Sequence, residues 1–100
     1  MDAIQTVHLV ATLKAKPGKA GELHRRLDEI IPDVRKEPGC LAYNLHVDRS
    51  DGSVFVMIEA WESVAALDAH GSAAPFRSLQ SHFDELLAEP LGLQLLSRLA

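Results

Sequence analysis

The sequence predicts an α+β fold in which helices cover one face of a single antiparallel sheet. Three observations predict it. Hydrophobic residues alternate with period two over several stretches, the segments between them carry helical spacing, and Pro-Gly or Ser-Asp-Gly turn signals punctuate the boundaries. One hundred residues make a single domain, 1–100. A chain of this length buries about two-thirds of the surface its unfolded form exposes, and a composition that is 47% hydrophobic is ample for that.

Residues Gln5 to Ala15 open the chain as a strand, with Val7, Leu9, Ala11 and Leu13 on one face and His8, Val10, Thr12 and Lys14 on the other. Lys16-Pro17-Gly18 stops it. From Lys19 to Glu37, Leu23, Leu27, Ile30, Ile31 and Val34 recur at helical spacing, with His24, Arg25, Arg26, Asp28, Glu29 and Asp33 opposite. Pro32 lies inside this helix, lacks a backbone donor and crowds the Asp28 carbonyl, so a kink is expected. Pro38-Gly39 ends the segment. Cys40 to Asp48 alternates again, Ser50-Asp51-Gly52 is a turn, and Val54 to Trp61 completes a hairpin.

Ser63 predicts an N-cap for a short helix to His70, with Gly71 as its stop. Pro75 suits the first turn of a following helix, whose stripe is Phe76, Leu79, Phe83, Leu86 and Leu87. Pro90 ends it, and Leu91 to Leu99 alternates weakly, placing Leu91, Leu93 and Leu95 on one side of a fourth strand. The order β-α-β-β-α-β is the ferredoxin-like, split-βαβ pattern.

The third strand carries an expectation about assembly. Val54, Val56, Ile58 and Ala60 make one face wholly apolar, while Phe55, Met57 and Trp61 make the other nearly so, interrupted by Glu59. Helices cover one sheet face only, and a sheet face in water alternates to polar. A second copy of the chain is therefore the expected cover for the other.

Several function classes fall away. A net charge of −4, with ten basic residues scattered among fourteen acidic ones, is no nucleic-acid footprint. The single cysteine, Cys40, rules out an intrachain disulfide and a multi-cysteine zinc site. Met1-Asp2-Ala3-Ile4 lacks a secretory leader pattern and no run approaches a membrane span, so a cytoplasmic location without membrane or nucleic-acid partners is expected.

Glu37-Pro38-Gly39-Cys40, Tyr43, the run Val56-Met57-Ile58-Glu59-Ala60-Trp61-Glu62-Ser63 and Leu67-Asp68-Ala69-His70 resemble the antibiotic-biosynthesis-monooxygenase family. The opening strand with Lys16-Pro17-Gly18 fits it as well. Ile31-Pro32-Asp33-Val34 and the block around Trp61 look most like its bacterial quinol monooxygenases. The resemblance implies a dimeric α/β barrel in which two four-stranded sheets pack face to face and the fourth strand reaches toward the partner. It also implies oxygenation of a small quinol or phenol by dioxygen without cofactor or metal. The substrate anion supplies the electrons, and the protein binds the aromatic, favours its anion and positions oxygen.

The resemblance places His70 toward the pocket, where an imidazole is a natural base for a phenol; the competing reading is a helix-end histidine bonded to a free carbonyl. Trp61 matches a tryptophan of quinone-forming members and is a ring-stacking candidate, against a plain core tryptophan. Glu59 is a candidate pocket acid or base, against a structural ion pair. Tyr43, Asn44, His46 and Phe76 are candidate substrate contacts. Asn44 and His46 share one face of their strand, and that face equally suits a dimer interface. His8 and His46 lack the further ligands a metal site needs, so none is expected. Arg77 suits an anionic substrate but fits a solvated surface better, and Cys40 reads as buried packing.

Three departures separate this chain from relatives with known chemistry. Met57 stands where quinone-forming polyketide enzymes carry an anion-stabilising asparagine. His70 stands at the helix position of the tryptophan of haem-degrading relatives. Ile58 and Pro75 replace an aromatic and a second histidine of the autoinducer isomerases. The expected function is a cofactor-independent quinol monooxygenase, with an isomerase of a small carbonyl or sugar-phosphate compound and a non-enzymatic ligand-binding dimer as rivals.

Overall fold

The computed structural model describes residues 5–100. Met1–Ile4, from which the absence of a leader was read, lie outside them. The elements run β1 (Val7–Lys14), α1 (Ala20–Arg35), β2 (Cys40–Val47), β3 (Val54–Trp61), α2 (Val64–Ser72), α3 (Ala74–Gln80), α4 (Phe83–Leu86) and β4 (Gly92–Leu96). The four strands form one antiparallel sheet in the order β2-β3-β1-β4, the predicted ferredoxin-like topology.

Alternation decides the faces. Val7, Leu9, Ala11 and Leu13 of β1, Tyr43 of β2, and Phe55, Met57, Glu59 and Trp61 of β3 are buried beneath the helices. α1 inserts Leu23, Leu27 and Val34 into the same layer, and α3 and α4 add Leu79 and Leu86. α1 passes through Pro32 unbroken. The lost donor falls on its exposed side, where water can satisfy the Asp28 carbonyl.

The second helical region differs from expectation in two ways. α2 does not stop at Gly71; it continues to Ser72 and ends where Ala73 turns extended (φ −79°, ψ 156°). Gly71 keeps a negative φ, since only Gly18 and Gly39 are positive among the glycines. Ala73 is also the N-cap of α3, and Pro75 lies within the first two positions of that helix. The predicted single C-terminal helix is divided, with α3 closing at Ser81 and α4 restarting at Phe83. Leu87 then bridges to Ala15 beyond the sheet. The apolar stripe was read correctly, but its spacing does not reveal the break, because Leu79, Leu86 and Leu87 are buried whether or not the helix is continuous.

The opposite face of the sheet carries His8, Val10, Thr12, Asn44, His46, Val56, Ile58, Ala60, Gln94 and Leu96, aligned by the register Val10↔Ile58, Asn44↔Ile58, His46↔Val56 and Val10↔Gln94. No helix among the described residues covers it. Ile58 is 46% and Leu96 41% exposed there, while Val54, Val56 and Ala60 are half-buried, so the apolar face read from the sequence is only partly screened in the single chain. No helix among the described residues is long and apolar enough to cross a membrane.

Candidate active site

Between the helix-side face of the sheet and α2–α3 lies a cavity of about 550 Å³. Its floor is Leu9, Ala11 and Leu13 of β1 with Met57 and Glu59 of β3; α2 contributes Leu67 and His70, α3 Phe76 and Leu79. Leu93 and Leu95 of β4 complete the rim, opposite Ala11 and Leu9. An apolar enclosure with a few polar groups is the usual form of a small-molecule site.

His70 is brought there by a chain of local causes. Ser63 caps α2, its hydroxyl oxygen accepting the Ala66 N–H at 3.1 Å. That fixes the start of the helix, and His70 falls two turns later on the face toward the sheet. Its ring stacks on Trp61 (centroids 4.7 Å, interplanar angle 28°). Tyr43 meets it edge-on at 5.5 Å and Phe76 tilts against it at 5.4 Å. With three aromatic neighbours, the imidazole is only 5% exposed.

One nitrogen of that ring is already committed. His70 Nδ1 lies 2.8 Å from Glu37 Oε1, in a pair whose side chains are 6% and 14% exposed. Glu37 sits in the turn between α1 and β2. Its N–H bonds to the Val34 carbonyl, its carbonyl accepts the Cys40 N–H, and Gly39, at φ +83°, reverses the chain. Only glycine fits at 39, for the backbone conformation and because a Cβ would meet that of Ala66 at 2.5 Å. The Gly39 carbonyl also accepts the Glu62 N–H, tying the turn to the end of β3.

Glu59 is the second acid of the site, only 4% exposed. Trp61 Nε1 donates to its Oε1 at 2.9 Å, a bond between two residues of one strand face. Burial pushes the Glu59 carboxyl above the ordinary carboxylate range; the Trp61 N–H and the charge of His70 draw it back, and Glu37 adds to the rise. Burial, assisted by the charges of Glu59 and Glu37, holds the Tyr43 phenol far above its usual value, so it stays protonated. The same causes raise the Cys40 thiol, which keeps it poorly nucleophilic.

The model of the antibiotic biosynthesis monooxygenase family matches residues 6–81. The chain belongs to that family. A Synechocystis protein with no described function is 30% identical over 87 residues, and the chain spans 59% of its length. YcnE of Bacillus subtilis, whose name places it among the monooxygenases, is 32% identical over 83 residues, covering 83% of this chain and 87% of YcnE. YgiN of Escherichia coli, named a probable quinol monooxygenase, is 40% identical over 75 residues, 62% of this chain and 69% of its own. Among solved structures, PA3566 of Pseudomonas aeruginosa superposes with a TM-score of 0.92 at 37% identity, with both chains fully covered. Rv0793 of Mycobacterium tuberculosis gives 0.89 at 28% identity over 95% of this chain and 96% of its own.

Of the residues singled out in the sequence, this antibiotic biosynthesis monooxygenase domain brings five together. His70, Glu59, Tyr43 and Phe76 line the cavity. Trp61 belongs to the group but not to the lining; it is fully buried behind His70 and Glu59, so it supports them and does not reach a ligand's ring in this arrangement. Asn44 and His46 are not brought in. Register puts them opposite Ile58 and Val56, on the open face of the sheet. They share a side, as their spacing requires, but it is the side away from His70. Asn44 Oδ1 instead accepts from Arg35 Nη2 at 3.1 Å, and His46 Nδ1 lies 3.2 Å from the Asn44 carbonyl oxygen. His8 faces the same open side, separated from His46 by the width of β3. Arg77 is exposed on α3. Among the described residues no three His, Cys, Asp or Glu side chains gather as a metal site. Glu37 was missed as a site residue. It stood in the quoted Glu-Pro-Gly motif, but a turn motif announces a chain reversal, not a partner 33 residues away.

Proposed function

We propose that the chain is a cofactor-independent monooxygenase that oxidises a small quinol or phenol with dioxygen, working as a homodimer. The observation that carries this reading is the cavity of about 550 Å³, apolar on most sides, with His70 on its wall and one ring nitrogen already held by Glu37. The volume suits one substituted aromatic ring. Kinship with YcnE and YgiN supports the reaction class.

The reaction needs a base and a dry, apolar chamber. In the proposed sequence the substrate's phenolic proton passes to His70 Nε2. The phenolate gives one electron to dioxygen, and the radical pair combines to form a carbon–oxygen bond. The peroxide so formed takes a proton back from the imidazolium. Loss of the ring hydrogen as a proton and of hydroxide from the O–O bond then gives water and a carbonyl. A phenol becomes a quinone and a quinol a hydroxyquinone, with one water released. Phe76 packs the ring, and the Tyr43 hydroxyl, kept protonated, is a donor available to the anion.

The homodimer rests on the open sheet face, where Val10, Val56, Ile58 and Leu96 need a cover that the described residues do not supply. A cytoplasmic location belongs to the same reading.

A second reading has one specific observation in its favour. A base, His70, and an acid with an elevated pKa, Glu59, face one cavity, which is the pairing that keto–enol isomerisation of a small carbonyl compound uses. Oxygen uptake by chelator-treated protein with a panel of chemically reduced quinols, corrected for autoxidation, tests between them. Enzyme-dependent uptake is the expected result. Turnover of a carbonyl substrate under strict anaerobiosis with no uptake would transfer the assignment to the isomerase, and saturable binding with neither would leave a ligand-binding dimer.

A further inference from the structure

We infer that Glu37 is a positioning carboxylate for His70, holding the imidazole with its proton on Nδ1 and leaving Nε2 bare for the cavity. The inference deepens the proposed oxygenase and rests on that reading for the proton that Nε2 receives. Three observations carry it.

The first is the contact itself. Glu37 Oε1 and His70 Nδ1 are 2.8 Å apart, well inside hydrogen-bond range, and both side chains are largely removed from water. An ionised carboxylate only accepts, so the bond places the proton on Nδ1. A neutral imidazole has one bare nitrogen, and fixing the tautomer at one end decides which atom is basic at the other. The second is restraint of the ring plane. Trp61 stacks on one face, while Tyr43 and Phe76 confine the ring from the sides, so it cannot turn to present Nδ1 to the cavity. The third is the state of Glu37. Its Oε2 is buried, with no hydrogen-bond partner among the described residues. Here one oxygen is spent on His70 and the other lies buried in the same group beside the ring. When Nε2 takes the substrate's proton, an imidazolium forms next to a carboxylate and is stabilised by it. The other groups facing the ring are Tyr43 from β2 and Glu59 from β3, and Asp68 shares the cavity from α2 itself. Among them Glu37 alone bonds a ring nitrogen.

The acid can also be reached from outside. Glu37 and His70 both line a separate groove of about 410 Å³ bounded by Pro38, Ser63, Ala66 and Ala73, on the side away from β4. A small carboxylate entering that groove could replace a deleted Glu37 side chain.

The test uses Glu37→Gln and Glu37→Ala in the full chain, with ¹⁵N spectra of His70 recorded at a pH where the ring is neutral. Wild type should show Nδ1 protonated and Nε2 bare. Glu37→Ala should lose that preference, and acetate should restore it. Glu37→Gln should lower kcat for quinol oxidation on the order of 10²-fold with KM little changed, the size expected for a mis-set general base. Acetate should raise the kcat of Glu37→Ala severalfold and leave wild type unmoved. An unchanged tautomer in Glu37→Ala, or wild-type kcat in Glu37→Gln, overturns the assignment. Because the spectra need no turnover, a wild type that consumes no oxygen, beside a Glu37→Ala variant whose tautomer acetate restores, removes the oxygenase and keeps the pairing.

Discussion

Trp61 donates its indole N–H to Glu59, two residues earlier on the same strand, and stacks its ring against His70 from α2. One fully buried side chain thus supports two of the cavity's ionisable groups at once. Indole is suited to this because it offers a single donor and a broad face, and no acceptor that would need a partner of its own.

Trp61 is the only tryptophan in the sequence, so its fluorescence reports this support directly. The native emission should be blue-shifted and inaccessible to iodide, because the side chain is 0% exposed. Unfolding should shift it red and open it to quenching. Replacement by phenylalanine deletes the donor to Glu59 and leaves a void, at an expected cost of about 1–3 kcal/mol in denaturant unfolding.

Glu59 makes stability depend on pH. Its folded carboxyl lies above the ordinary carboxylate range, so folding favours the protonated form. That contribution is complete below the unfolded pKa, about 4.3, and is lost as pH rises through the folded value. Glu59→Gln keeps an acceptor for Trp61 and removes the ionisation. Urea unfolding from pH 4 upward should show wild type losing stability relative to the variant across that window; parallel curves would contradict it.

His70→Ala should lower kcat for quinol oxidation by about 10²–10⁴-fold, the usual yield of a general base. Far-UV circular dichroism should show the fold retained, since the ring is one of several that fill this region. Full activity in the variant would remove the assignment of His70.

Gly39→Ala should destabilise the chain by about 1–3 kcal/mol, because alanine is strained at φ +83° and its methyl collides with Ala66. Glu37 is two residues away, so the turn should also release its grip on His70. Thermal unfolding measures the first effect and the His70 spectra the second.

Ile58→Asp places a charge at the centre of the open face, opposite Val10 and Asn44. If two copies pack there, sedimentation should show dissociation to single chains without loss of secondary structure. A dimer that survives this substitution pairs through another surface.

The sheet was legible because alternation writes its faces into the sequence, and even the exception was informative. Glu59 stood out as the one acid on an apolar strand, and it proves to be a wall of the cavity. Parity alone did not say which pairs of residues meet. Asn44 and His46 were correctly placed on one side of β2, but the side is fixed by the register Tyr43↔Glu59, which turns Tyr43 toward the cavity and its neighbours away. A bulge between Cys40 and Ala42 disturbs that register further. Glu37 was illegible for a different reason. Its partner comes from another element, and nothing in a local pattern records a contact that only tertiary packing creates.

β4 ends the sheet, and its residues, Gly92-Leu93-Gln94-Leu95-Leu96, include no charge and no proline. Charges and prolines are what commonly keep a free strand edge from recruiting another chain. A solitary copy therefore carries its own template for uncontrolled association. During expression and storage, a bare β4 edge should favour precipitation over refolding.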